Sequence, residues 1–156
     1  MIPAWRIVKA RHAATALSGD GGLHAGGCWH RQGVRVVYCA STLSLAALEL
    51  LVHLGRSHVG IRFVVFRIDI PDGARVEELH RGELPRNWRS EPPIEATRRL
   101  GMEWLRACES AVLRVPSAVI PAEYNYLLNP LHGDFKRLRR GRGEPFAFDP
   151  RLWVAR

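Results

Sequence analysis

Two residues able to do chemistry stand where the sequence otherwise reads as core. Glu49 interrupts "STLSLAALELLVHL", residues 41–54, a segment apolar nearly all the way round, and a helix of that composition is buried on most sides. At about 100° per residue, His53 and Arg56 fall on the face of Glu49. This polar stripe is either a solvent side, with Glu49 paired to His53 for about 0.3 kcal/mol, or a carboxylate held beside a ligand. A metal site would need more than Glu-x-x-x-His, and the sequence offers no third ligand. Ser117 is the second case. In "RVPSAVIPAEYNYLLNP", residues 114–130, alternation from Ala111 puts Leu113, Val115, Ser117 and Val119 on one side of a strand. A hydroxyl on a core face requires a partner, which for a lone serine is most simply a backbone carbonyl.

The elements that would carry these residues can be read in order. "WRIV" near the start is a short strand, followed by the glycine-rich stretch Ser18 to Gly33, which reads as a loop able to approach a ligand. "VRVVYCA", residues 34–40, reads as a strand with Val34, Val36 and Tyr38 on one face. A helix is expected from Thr42 to about Leu54, capped by Ser41 and closed by Gly55. "GIRFVVFRIDIP" is a strand ended by Pro71, and "IEATRRLGMEWLRAC" is a second helix ahead of the Ser117 strand. Between those two lies a polar, turn-rich stretch with Pro85, Pro92 and Pro93. Strands thus alternate with two clear helices and no repeat, which predicts a compact α+β domain spanning residues 1–156.

Composition narrows the function classes. A chain of 156 residues can bury a core without disulfides or metals. Its three cysteines, Cys28, Cys39 and Cys108, show no CxxC spacing, which argues against a disulfide framework and a zinc cluster and for a reducing cytoplasm. "MIPAWRIVKARHAATALSG" breaks its apolar stretches with Arg6, Lys9, Arg11 and His12, unlike a signal peptide. No uninterrupted apolar run approaches a membrane span. A soluble cytoplasmic protein is expected. The net charge of +8 suggests an anionic partner. Much of the excess sits in "KRLRRGRG", residues 136–143, which lacks interleaved aromatics for base stacking and reads as a solvated loop rather than a nucleic-acid surface.

Taken together, the early Arg6, the glycine loop leading to Tyr38, Glu49 eleven residues later, and "VPS" at Ser117 followed by "EYNYLLNP" resemble the RES-domain family. "GDGG", "VVYCA", "ALELLVHL", "LRVPSAV" and "NYLLNP" look like that family's blocks in the family's order, from Trp5 to the final "FDPRL". The resemblance implies a fold similar to ADP-ribosyltransferases, with mixed or antiparallel strands, and the activity of a toxin that destroys NAD. It implies Glu49 and Ser117 as catalytic residues, the first facing an oxocarbenium-like ribose and the second orienting the ribose or the amide. Arg6, Tyr38, Arg31 and Asn125 become NAD contacts. Arg6 would hold a pyrophosphate oxygen, and Tyr38 would stack on nicotinamide.

The resemblance further implies NAD as substrate with no other cofactor and no metal. It implies a cognate antitoxin of helical, DNA-binding type, with direct nucleic-acid contact left to that partner, phosphate as one possible acceptor, and a homo-oligomer within the complex as a further option. The acceptor of ADP-ribose stays open between phosphate, water and a protein. A rival is a degenerate domain that binds without turnover. One departure favours it: where the family commonly reads "GGRWN" this chain reads "GGCWH", so Cys28 replaces an arginine and His30 an asparagine, with Arg31 or Arg35 as candidate substitutes.

Overall fold

The computed structural model describes residues 1–54 and 60–153; the expected helix stop at Gly55 and the stripe residue Arg56 lie outside them. Eight strands form one mixed sheet: β1 (Ile2–Lys9), β2 (Val37–Ala40), β3 (Phe63–Ile70), β4 (Val76–Glu78), β5 (Val112–Pro116), β6 (Tyr124–Leu128), β7 (Arg139–Arg140) and β8 (Glu144–Phe146). Their order is β4-β5-β6-β2-β1-β3-β7, with β8 also on β3. The pairings are antiparallel except for β4 with β5. Among the described residues three α-helices accompany the sheet: α1 (Gly21–His24), α2 (Leu43–Leu54) and α3 (Glu95–Ala107). The α+β expectation holds.

The sheet is tightly laddered on both flanks and open in the middle. β1 pairs β3 along its whole length, from Ile2 opposite Ile70 to Lys9 opposite Phe63. β1 and β2, in contrast, share the single register pair Trp5 opposite Ala40. Backbone polar groups that a ladder leaves open must be satisfied some other way. Arg6 does this here, its Nη1 donating to the Tyr38 carbonyl at 2.7 Å across the gap and its Nε to the Ala16 carbonyl at 2.7 Å.

Three buried clusters fix the elements around this opening. Val37, Cys39, Ile68 and Leu128 centre one, on the face that β1 addresses with Ala4 and Val8. A second, Ile7, Ala40, Leu45, Phe63 and Val65, lies beneath α2. The third joins Trp29, Val36, Trp104, Leu113 and Leu127. Helix α3 presents Thr97, Gly101 and Trp104 as its buried stripe, at the spacing of one amphipathic face. Gly101 is required there: a Cβ would meet the Trp29 carbonyl oxygen at 1.8 Å. The helix therefore rests directly on the backbone of the glycine-rich loop.

Several boundaries differ from the sequence reading for local reasons. Thr42, not Ser41, caps α2, its hydroxyl accepting from Leu45 N at 3.0 Å. The helix is less buried than its composition predicts: Leu45 and Ala46 are buried, whereas Leu48 is 39% and Val52 59% exposed. The strand read over residues 34–40 shortens to Val37–Ala40, with Val36 and Tyr38 nonetheless both at the third cluster. The strand carrying Ser117 ends at Pro116, so Ser117 begins a turn and Val119 lies outside the strand. β4 lies within the polar stretch read as turns, anchored by Glu77, which accepts from Ser110 Oγ at 2.7 Å. The basic stretch read as a loop instead contributes β7 along β3, with the Arg140 guanidinium 5.2 Å from the Phe66 ring centroid.

Candidate active site

A cleft of about 610 Å³ opens where β1 and β2 part, within the size range of small-molecule sites. Trp5, Arg6, Tyr38 and Ala40 come to it from the sheet, Glu49 and His53 from α2, Gly26 to His30 from the loop, Arg98 from α3 and Asn125 from β6.

Glu49 is its most elaborately held side chain. Its Oε1 accepts from Ser117 Oγ at 2.8 Å and from Asn125 Nδ2 at 2.6 Å. Ser117 is fully buried, and its Oγ accepts in turn from the backbone N–H of Val119 at 3.1 Å and of Ile120 at 2.9 Å. With both lone-pair positions taken, the serine's one proton is committed to the carboxylate. Two neutral donors on one oxygen fix the carboxylate without neutralising it, and Oε2 meets no protein donor among the described residues. The Glu49–His53 pair is not formed; His53 lines the cleft one turn further along. Glu49 and His53 therefore both line the cleft, His53 at an exposed position.

Asn125 is 8% exposed, and its Oδ1 has no hydrogen-bond partner among the described residues. A buried acceptor left open in this way costs free energy unless something donates to it. Arg6, also at the cleft, forms no ion pair among the described residues, and burial pulls its guanidinium below the usual range, Cys39 acting weakly in the opposite sense.

The opposite wall is built on Tyr38 and His30. Trp29 N–H donates to Tyr38 Oη at 3.2 Å, and Tyr38 Oη lies 2.8 Å from His30 Nδ1. His30 Nε2 lies 3.0 Å from the Ala25 carbonyl, an acceptor only, so Nε2 carries the proton and Nδ1 accepts from the tyrosine. Burial lowers the His30 pKa, the Ala25 carbonyl partly opposing this, and Arg98 lowers it further; burial likewise drives the Tyr38 phenol upward. Both groups are thus neutral and committed to holding residues 25–30. Gly27 fits beneath them because a Cβ would meet His30 Cε1 at 2.8 Å and Tyr38 Oη at 2.9 Å.

Of the residues singled out from sequence, the structure brings Arg6, Tyr38, Glu49 and Asn125 to one cleft and sets Ser117 directly behind Glu49. Ser117 meets neither the backbone carbonyl expected of a lone serine nor the cleft itself; its hydroxyl serves the carboxylate. Arg31 is not brought there: it is exposed and paired with Glu95 on the surface. Arg35 pairs with Asp20 at 3.3 Å. Neither takes the place of an arginine at position 28. Cys28 lines the cleft with its thiol pushed up, chiefly by burial and then by Glu49. Sequence reasoning missed Arg98, whose Nε donates to the Gly27 carbonyl at 3.0 Å. The available signal was Gly101: a glycine inside an amphipathic helix marks a close approach, and Arg98 lies one turn before it on the same side.

A mixed-sheet domain that gathers a carboxylate and two arginines, neither in an ion pair among the described residues, at one cleft defines an α+β protein with its polar side chains converging on a single opening. The sequence model of the RES domain matches residues 3–149, and the chain belongs to that family. It is 42% identical over 149 residues to a Yersinia enterocolitica protein named Toxin Res, covering 95% of this chain and 97% of that one. It is 37% identical over 152 residues to a Sphingobium protein named Prs ADP-ribosylating toxin, covering 95% and 94%. Its fold matches a chain of the crystal structure of the M. tuberculosis MbcT–MbcA toxin–antitoxin complex with a TM-score of 0.79 at 16% identity, over 97% of this chain and 86% of that chain. No helix among the described residues is long and apolar enough to cross a membrane.

Proposed function

We propose that this protein is the toxin of a toxin–antitoxin pair and that it consumes NAD by breaking the nicotinamide–ribose bond. The observation that carries this reading is Glu49, a carboxylate fixed by Ser117 and Asn125 in a cleft shared with the Arg6 guanidinium, which no acid pairs among the described residues. In this reaction the bonding pair leaves with nicotinamide and positive charge develops on the ribose. A preorganised carboxylate stabilises that charge as it forms. The acceptor then adds to the ribosyl carbon: water gives ADP-ribose and a proton, and inorganic phosphate gives the phosphorylated sugar. Arg6 suits a pyrophosphate oxygen, with Nη2 left over from its two carbonyl contacts. Asn125 Oδ1 suits a ribose hydroxyl or the carboxamide N–H.

Incubating the purified protein with NAD and measuring free nicotinamide, with and without inorganic phosphate, tests this. NAD-dependent release is expected, and none from protein free of its antitoxin would leave only a binding module. A second reading, transfer of ADP-ribose to a protein, is favoured by the name of the Sphingobium relative. It uses the same donor chemistry and differs in label appearing on protein. The +8 charge suits an antitoxin segment that is acidic where it enters the cleft, so neutralisation should be competitive with NAD.

A further inference from the structure

We infer that Arg98 is a phosphate-binding residue of this cleft, supplying a cation that the glycine loop, its Arg31 paired with Glu95, does not bring there. The inference rests on the NAD reading above and adds a residue to it. Arg98 lies in the first turns of α3, half-buried at the cleft wall. Its Nε is spent on the Gly27 carbonyl at 3.0 Å. Both Nη groups are without a protein acceptor, and no carboxylate pairs with it, among the described residues. That contrasts with its neighbours: Arg31 is paired with Glu95, and Arg99 with Glu103 at 3.7 Å.

The placement is structurally enforced. Gly101 allows α3 to touch the Trp29 carbonyl, and the guanidinium then lies along the glycine pair, Nη2 3.6 Å from where a Gly26 Cβ would stand. A guanidinium tethered by one donor keeps its planar fork for a second ligand, and a phosphate is the anion that matches such a fork. The other acidic and basic side chains lining the cleft are Glu49, Glu91, Arg6, His30 and His53. Arg6 approaches at the opening between β1 and β2, whereas Arg98 approaches from the loop and α3 wall, so the cleft is lined by a guanidinium on two sides. The residues that read as substitutes from sequence, Arg31 and Arg35, are turned to surface carboxylates.

The test is ligand binding in the Glu49→Gln background, where NAD cleavage is slowed about a hundredfold, measured by calorimetry with NAD, ADP-ribose and nicotinamide riboside, which has no phosphate. Arg98→Gln keeps a donor for the Gly27 carbonyl and loses the charged fork. It should weaken NAD and ADP-ribose at least about tenfold, a contact of the size expected for a charge-assisted hydrogen bond, and leave nicotinamide riboside unchanged. Arg98→Lys should recover part of the loss. Equal weakening of all three ligands would show that Arg98 only shapes the loop, and no weakening of any would remove it from the site; either result overturns the inference. If Glu49→Gln alone binds neither NAD nor ADP-ribose, the NAD reading falls and this inference with it, a result distinct from the other two.

Discussion

The two walls of the cleft both hold buried polar side chains in chains of hydrogen bonds, but the chains end differently. On the α2 and β6 side, Val119 and Ile120 N–H groups donate to Ser117, and Ser117 and Asn125 donate to Glu49. That chain ends on a group able to carry charge, with one oxygen left over. On the loop side, Trp29 donates to Tyr38, Tyr38 to His30, and His30 to the Ala25 carbonyl. That chain ends on backbone, and nothing in it remains unspent. The difference teaches how to separate a reacting wall from a supporting one: the direction in which the protons point, and whether the last acceptor has capacity to spare.

The sharpest way to break the contrast is Glu49→Gln, which preserves volume and removes the charge at the end of the first chain. A loss of about hundredfold in NAD cleavage is expected, since preorganised electrostatic contacts of this kind contribute roughly 3 kcal/mol to the barrier, with the melting temperature little changed. Wild-type turnover in this variant would sink the assignment. Ser117→Ala acts one link back. It leaves Glu49 held by Asn125 alone and strands the Val119 and Ile120 N–H groups, for a stability cost of about 1–3 kcal/mol. Because Ser117 is behind the carboxylate, kcat should fall by about tenfold while KM stays near its wild-type value. A rise in KM with kcat intact would mean that Ser117 contacts substrate directly.

How much of this was legible in the sequence follows the same division. Residues on regular elements were found because periodicity reports a face: Glu49 stands out in an apolar helix, and Ser117 in an apolar run. The family blocks then placed Arg6, Tyr38 and Asn125 with them. What periodicity could not give was the direction of each hydrogen bond. Alternation carried the strand through Ser117 to Val119, whereas the strand ends at Pro116 and the chain then turns so that the Val119 and Ile120 N–H groups meet the Ser117 hydroxyl, whose proton goes to Glu49. Arg31 read as a cleft cation from its nearness in sequence to Cys28, yet a neighbour in sequence on an irregular loop has no fixed side, and Glu95 draws it outward. The exposure of Leu48 and Val52 was hidden for a related reason: an apolar composition does not state how many neighbours the sheet supplies.

The smallest expected effect probes the supporting wall. His30 is buried with its pKa lowered, first by burial and further by Arg98, against the partial support of the Ala25 carbonyl. A depressed histidine means that the unfolded chain binds a proton more readily than the folded one, so stability rises with pH across the interval between the two values. The contribution is complete above the unfolded value of 6.5 and is lost as the pH falls from there through the folded value. Protonation would also turn Nδ1 from an acceptor into a donor, leaving the Tyr38 hydroxyl without the acceptor for its proton and loosening residues 25–30. The slope from one such group cannot exceed about 1.4 kcal/mol per pH unit. Melting temperatures of the wild type and of His30→Gln, followed from pH 8 to pH 5, read this out. The glutamine can still donate to Ala25 and accept from Tyr38 but does not titrate, so its curve should be the flatter below pH 6.5. Parallel curves would show that the loop wall is held by something other than the neutral imidazole, and the contrast between the two walls would then rest on Glu49 alone.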